Sequence, residues 1–186
     1  MRAFVAALPP PEVVDHLDDF LSARREAAGF RWSAAEQWHL TLAFASDLPP
    51  RGLDVADELL CEAAARRPAL GARVRGGGAF PHPDAARVLF AGLEVDDDDD
   101  VLERLAVACR SALSRAGARV DGQRFRPHLT LGRLGRPDNL TSWVRLLDAY
   151  EGPRWQLDEV ALVHSHLGEG PRGRPRHEVV ATYPLG

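Results

Sequence analysis

His39-Leu40-Thr41-Leu42 and His128-Leu129-Thr130-Leu131 are the same four-residue phrase, set in QWHLTLAF and RPHLTLGR. Both copies lie in β-prone runs, Trp38 to Phe44 and Phe125 to Arg133. On a strand, residues i and i+2 point to one face. The spacing therefore predicts His39 with Thr41 on one face and Leu40 with Leu42 on the other. The second copy divides in the same way. The leucines are expected to face a core, and the histidines and threonines to face a cleft.

Outward from these phrases, the order of elements repeats. Arg2 to Ala7 reads as a strand stopped by Pro9-Pro10-Pro11. Val13, Val14, Leu17, Phe20 and Leu21 then recur at helical spacing. After the first phrase, Leu53, Ala56, Leu59, Leu60 and Ala63 mark a helix, followed by strands over Ala72 to Phe80 and Arg87 to Val95. Gly76-Gly77-Gly78 interrupts the first of these and predicts a bulge or a close backbone approach. Asp96 to Asp100 reads as a solvated acidic turn that complements the dipole of the helix beginning at Val101. That helix ends at Gly117.

After the second phrase come a short helix over Leu140 to Leu147, capped by Asp138 or Asn139, and strands over Leu157 to Leu167 and Glu178 to Tyr183. Each phrase is thus preceded by a long helix and followed by helix, strand, strand. The two histidines are 128 − 39 = 89 residues apart, close to half of the 186. The pattern predicts an internal duplication. The expected fold is α+β and bilobal: a pseudo-twofold duplicated unit of antiparallel sheets with outer helices and a central cleft. Residues 1–186 are expected to form a single domain, with the two phrases facing each other across the cleft.

Composition narrows the function. No apolar run approaches the roughly 20 residues needed to span a bilayer, and the N-terminal stretch lacks a full signal-peptide pattern. A cytoplasmic protein without membrane contact, working as a monomer, is expected. The net charge of −4 argues against broad, non-specific DNA binding. The 23 basic residues are all Arg, so every Arg/Lys-type cationic site is a guanidinium, suited to phosphate oxygens. Cys61 and Cys109 lie in apolar, helix-like stretches without metal-type spacing and read as small buried hydrophobes.

Two imidazoles and two hydroxyls converging on a cleft suit in-line displacement at phosphorus. Such a reaction needs a base on the attacking oxygen and an acid on the leaving oxygen, on opposite sides of the phosphorus. Histidine can serve as either near neutral pH. Threonine hydroxyls can donate to the non-bridging oxygens, where charge must be stabilised. No metal or other cofactor is required when the leaving group is strained in a ring.

These motifs make the chain resemble the 2H phosphoesterases, and more narrowly the RNA 2′,3′-cyclic phosphodiesterases, also called the LigT or 2′-5′ RNA ligase family. RAFVAALPP, QWHLTLAF, FRPHLTLGR and VALVHSHLGEGPRGRPRHEVVATYPL carry the resemblance, which covers nearly the whole chain. It implies hydrolysis of an RNA or nucleotide 2′,3′-cyclic phosphate to a 2′-phosphate without metal. His39 would be the proton donor and His128 the proton acceptor, with roles exchanged in the reverse, 2′-5′ ligation direction. Thr41 and Thr130 would hold the phosphate oxygens, and Arg133 would contact the phosphate. The family carries Gly shortly after the first motif, where this chain has Ser46. It carries Tyr near the position of His177, whose ring can still stack or donate a hydrogen bond.

Phe4 reads as core or cleft, with core the better assignment. His82 reads as a turn residue and His16 as exposed on a helix. His164 and His166 share a strand face and resemble two metal ligands, but no third ligand follows at a convincing spacing, so no metal site is assigned. Two other classes of function stay open. One is a nucleotide- or RNA-binding module that kept the cleft and lost its chemistry. The other is a metal-dependent hydrolase using His164 and His166.

Overall fold

The computed structural model describes residues 1–97 and 99–186. Asp98, within the acidic run, lies outside the described residues. In chain order the elements are β1 (Ala3–Ala7), α1 (Pro11–Ser22), β2 (Arg31–Trp32), β3 (Leu40–Asp47), α2 (Leu53–Ala65), β4 (Leu70–Phe80) and β5 (Ala86–Val95). They continue as α3 (Val101–Arg115), β6 (Arg119–Val120), β7 (His128–Asp138), α4 (Thr141–Asp148), β8 (Trp155–Leu157), β9 (Glu159–His166) and β10 (Arg176–Pro184).

The helices form where the apolar spacing predicts, and local chemistry fixes their starts. Pro11 opens α1 with its φ already set for a helix. Val13, Leu17 and Leu21 then bury one stripe of α1. The acidic run helps to start α3: the backbone N–H groups of Val101 and Leu102 donate to the Asp97 carboxylate at 2.7 and 2.8 Å. Neither Asp138 nor Asn139 is the N-cap of α4, which is Leu140 without a side-chain cap bond; Asn139, one residue earlier, accepts the Thr141 N–H on its Oδ1 at 2.9 Å.

Among the described residues the strands form one antiparallel sheet of order β10-β9-β1-β3-β7-β5-β4-β8, with β2 on β7 and β6 on β3. The two HLTL strands are neighbours at its centre, paired at one position, Leu40 opposite Leu129. They lie side by side rather than face to face. The duplication is visible as a β-α-β-α-β unit. β1, α1, β3, α2 and β4 correspond to β5, α3, β7, α4 and β9. The last strand of each unit crosses over: β4 pairs with β5 of the second unit, and β9 pairs with β1 of the first.

The leucine/histidine split follows the strand alternation. Leu40 and Leu42 enter a core with α2 and α3. Leu129 and Leu131 enter a second core with α1 and α4. All four are at most 2% exposed, and burying each such side chain stabilises the fold by about 1.5–3 kcal/mol. The glycine cluster marks a bulge, as the sequence predicts. The β4–β5 register shifts between Val74 and Gly77, and Gly76 sits at φ +67°. A Cβ on Gly77 would lie 2.6 Å from the Leu147 side chain of α4, so the helix packs here against bare backbone.

Two further expectations need correction. The run Leu157 to Leu167 is not one strand. It breaks at Asp158 into β8, on the edge beside β4, and β9, beside β1 and β10. Leu157 and Val160 are both buried although three apart, so the alternation changes phase there. One residue linking strands from opposite ends of the sheet order requires the sheet to curl until those ends approach. Cys61 is exposed, whereas Cys109 is buried. Ala56, Leu60, Ala63 and Ala64 form the buried stripe of α2, and Cys61 falls beside it. Burial pushes the Cys109 thiol up to about 12. Among the described residues, no helix is long and apolar enough to cross a membrane.

Candidate active site

His39 and Thr41 of the first phrase, and His128 and Thr130 of the second, line a common cavity of about 570 Å³. Arg133 lines it too, so the cavity contains all five residues singled out from the sequence. It spans the central seam, drawing on β1, β3, β7, β9 and β10.

Each histidine is held by its own strand in the same way. His39 Nδ1–H donates to the Gln37 carbonyl at 2.7 Å, and His128 Nδ1–H donates to the Arg126 carbonyl at 2.6 Å. A carbonyl only accepts, so Nδ1 must carry a proton. The neutral ring then has its lone pair on Nε2, the nitrogen left for the cavity. Two residues of backbone before each phrase thus set the tautomer.

Aromatic rings complete each holder. Phe4 stacks on His39 with ring centroids 4.5 Å apart, and His177 meets both Phe4 and His39 edge-on at 5.0 and 5.5 Å. Phe80 and Phe90 meet His128 at 5.0 and 5.3 Å. Phe4 is therefore both buried and part of the cavity wall, which joins the two readings made of it. His177, at the Tyr position of the resemblance, packs edge-on against Phe4 and His39 rather than stacking on them. Ser46, at the Gly position, is exposed, with its hydroxyl toward the Arg119 carbonyl at 3.5 Å.

Burial lowers the His39 imidazole to about 4, with smaller contributions from the nearby His177, His128 and Arg133 charges opposing the carbonyl bond to Gln37. Burial, then Arg133, also lowers His128 below the ordinary histidine value. Both rings are therefore predominantly neutral at pH 7 before an anion arrives.

Much of the rim is not legible in the sequence. Arg2, Arg31 and Arg174 bring three more guanidiniums to the cavity beside Arg133, and no carboxylate is among its described lining residues. In a chain of net charge −4 this is a local reversal of sign, and it suits an anionic ligand. Trp32, Ser33 and Ser165 also line it. Arg2 had one signal, since it lies two residues before Phe4 on the same strand face. Arg31 reaches the site because β2 pairs with β7, opposite Arg133, and a two-residue strand leaves no periodicity to read. Gln37 Nε2 donates to the Pro175 carbonyl at 2.7 Å, tying the Gly/Pro/Arg loop to the segment that orients His39.

The remaining histidines lie elsewhere. His82 is exposed beside a short turn. His16 is exposed as predicted, but its Nδ1 is 2.8 Å from the Tyr150 hydroxyl. His164 and His166 alternate with Val163 and Ser165, whose face carries Phe4 and the cavity. They therefore point to the opposite face, away from His39 and His128. A hydrolase reaction at that pair would not use the cavity.

Comparison with known proteins gives the family and the fold. The family model of the 2′-5′ RNA ligase superfamily matches residues 9–169. An RNA 2′,3′-cyclic phosphodiesterase of Thermotoga maritima is 28% identical over 155 residues, covering 82% of this chain and 79% of the relative. One of Geobacillus stearothermophilus is 24% identical over 98% of this chain, which spans only 56% of that relative's length. The crystal structure of TT0787 of Thermus thermophilus superposes with a TM-score of 0.78 at 29% identity, covering 100% of this chain and 98% of that one. The chain belongs to the 2′-5′ RNA ligase superfamily.

Proposed function

We propose that the chain hydrolyses RNA or nucleotide 2′,3′-cyclic phosphates to 2′-phosphates by two-histidine acid/base catalysis. The observation that carries this reading is the matched pair of imidazoles. Each is tied through Nδ1 to a carbonyl and presents Nε2 to one arginine-rimmed cavity. His128 takes a proton from water as its oxygen bonds to phosphorus. The P–O3′ bond breaks, and His39 gives its proton to O3′. The products are a 2′-phosphate and a free 3′-hydroxyl. Thr41 and Thr130 donate to the non-bridging oxygens, and Arg133 balances their charge. No cofactor takes part, and RNA-end 2′-5′ ligation is the same displacement with an RNA 5′-hydroxyl in place of water, so that His128 and His39 keep their roles rather than exchange them.

Residues 1–186 act as a single bilobal unit in this proposal, because the cavity draws on both units of the duplication. One chain completes the cavity, which supports action as a monomer. Both cysteines are free thiols, which fits a reducing cytoplasm.

The test is product analysis on 2′,3′-cyclic AMP with excess EDTA. The expected result is undiminished turnover to 2′-AMP. A 3′-phosphate product would reverse which oxygen leaves. Loss of turnover on chelation, restored by zinc or manganese, would overturn the metal-free reading. Saturable binding without turnover would favour a binding module.

The lowered histidine values give a pH prediction. The productive enzyme carries one proton on the pair. In the free enzyme both imidazoles lose protons below the ordinary value of 6.5, so kcat/KM is expected to fall about tenfold per pH unit above pH 6.5. A bound phosphodiester anion favours the charged imidazolium and raises both values. The alkaline limb of kcat should therefore lie at higher pH than that of kcat/KM. Coincident limbs in the two pH–rate profiles would show that the anion does not bind beside the pair.

A further inference from the structure

We propose that His164, His166 and Glu178 form a zinc(II) site on the face of the sheet opposite the catalytic cavity. Strand geometry gathers the three. His164 and His166 are i and i+2 on β9, so their rings share a face, with centroids 3.7 Å apart. Glu178 of β10 sits directly opposite His164 in the antiparallel register. One potential ligand atom from each residue lies within 4.8 Å of the others. Spacing along the chain does not reveal the third ligand, which comes from the neighbouring strand.

The donor set suits zinc. Two imidazoles and a carboxylate are a common three-ligand combination, with the fourth tetrahedral position left to water. His166 Nε2 is 2.8 Å from Glu178 Oε2, so one proton now occupies the line where a metal would bridge. Glu169 Oε2 lies 3.5 Å from the other nitrogen of that ring, Nδ1. On metal binding the proton can move from Nε2 to Nδ1, facing Glu169, as carboxylates commonly back metal-bound histidines. Arg176 reaches Glu169 at 2.8 Å and Glu178 at 3.3 Å. It holds both carboxylates in the metal-free chain and has to release a Glu178 oxygen to the ion.

The consequence is mechanical. The site joins β9 to β10 on one face. On the other face of the same hairpin, His177 pairs with Ser165 and stands against Phe4 and His39. A metal clamp there would brace the hairpin that presents His177 without touching the reacting groups.

The experiment is a Zn(II) titration of the full chain, stripped with EDTA and exchanged into chelator-free buffer, against a chromogenic zinc indicator. One equivalent is expected to bind with a Kd at or below about 1 μM, and zinc is expected to raise the Tm. The His39→Ala/His128→Ala variant should keep that equivalent, which separates this site from the catalytic pair. His164→Ala/His166→Ala and Glu178→Gln should lose it, and Glu169→Gln should weaken it by about tenfold. Glu178→Gln alters an exposed side chain, so it decides the matter even if the double alanine variant is poorly folded. Turnover of 2′,3′-cyclic AMP by the stripped protein should be unchanged. The proposal is overturned by absence of saturable binding, by an equivalent retained in Glu178→Gln, or by one lost with His39 and His128.

Discussion

His128→Asn and His39→Asn are each expected to lower kcat on a 2′,3′-cyclic nucleotide by about 10²–10⁴, with little change in KM. Asparagine keeps a donor near the Nδ1 position, so the bond to the Gln37 or Arg126 carbonyl can persist. What it removes is the Nε2 proton relay. The double variant should be little worse than either single one, because in the proposed mechanism both histidines serve one displacement and neither is useful alone. Near-normal turnover by both single variants would sink the mechanism. The same variants separate acid from base. A phosphodiester with an activated aryl leaving group needs no proton on that oxygen. It should rescue His39→Asn and leave His128→Asn inactive. Rescue of His128→Asn instead would exchange the two roles.

The part of this site legible in the sequence is the part carried by alternation along a single strand. His39 and Thr41 fall on the cavity face and Leu40 and Leu42 in a core, because a strand offers two sides and the phrase fills them oppositely. The repeat of helix, strand, strand likewise exposed the duplication. Pairing between strands was not legible. Nothing in the order of elements says that β4 leaves β3 to join β5, or that β9 returns to β1. That exchange builds the site's surroundings. It brings Phe80 of β4 and Phe90 of β5 onto His128, and it brings His177, through β9 and β10, onto His39. Arg31 and Glu178 were missed for the same reason: each becomes part of a cluster only through a partner strand. Cys61 was misread for a smaller reason, since one residue off a helix stripe is enough to turn a side chain outward.

Thr41→Val and Thr130→Val are each expected to reduce kcat by about 10²–10³, with Thr→Ser retaining most of the activity. Attack on phosphorus adds negative charge to the non-bridging oxygens, so a hydroxyl placed there binds the transition state more strongly than the substrate. The threonines qualify by position, since each is two residues beyond a histidine of the proposed acid/base pair, and all four residues line the cavity. Valine keeps the branched shape and removes only the hydroxyl. The pair should behave unlike the histidines. If each hydroxyl holds its own oxygen, the two losses are independent and multiply in the double variant. The histidine losses should not multiply, because in the proposed mechanism one proton relay runs through both. Measured kcat values for the four threonine combinations decide this. A double valine variant no worse than the singles would mean that the two hydroxyls serve the same oxygen, and the symmetric arrangement of the phosphate between the two halves of the sheet would have to be abandoned.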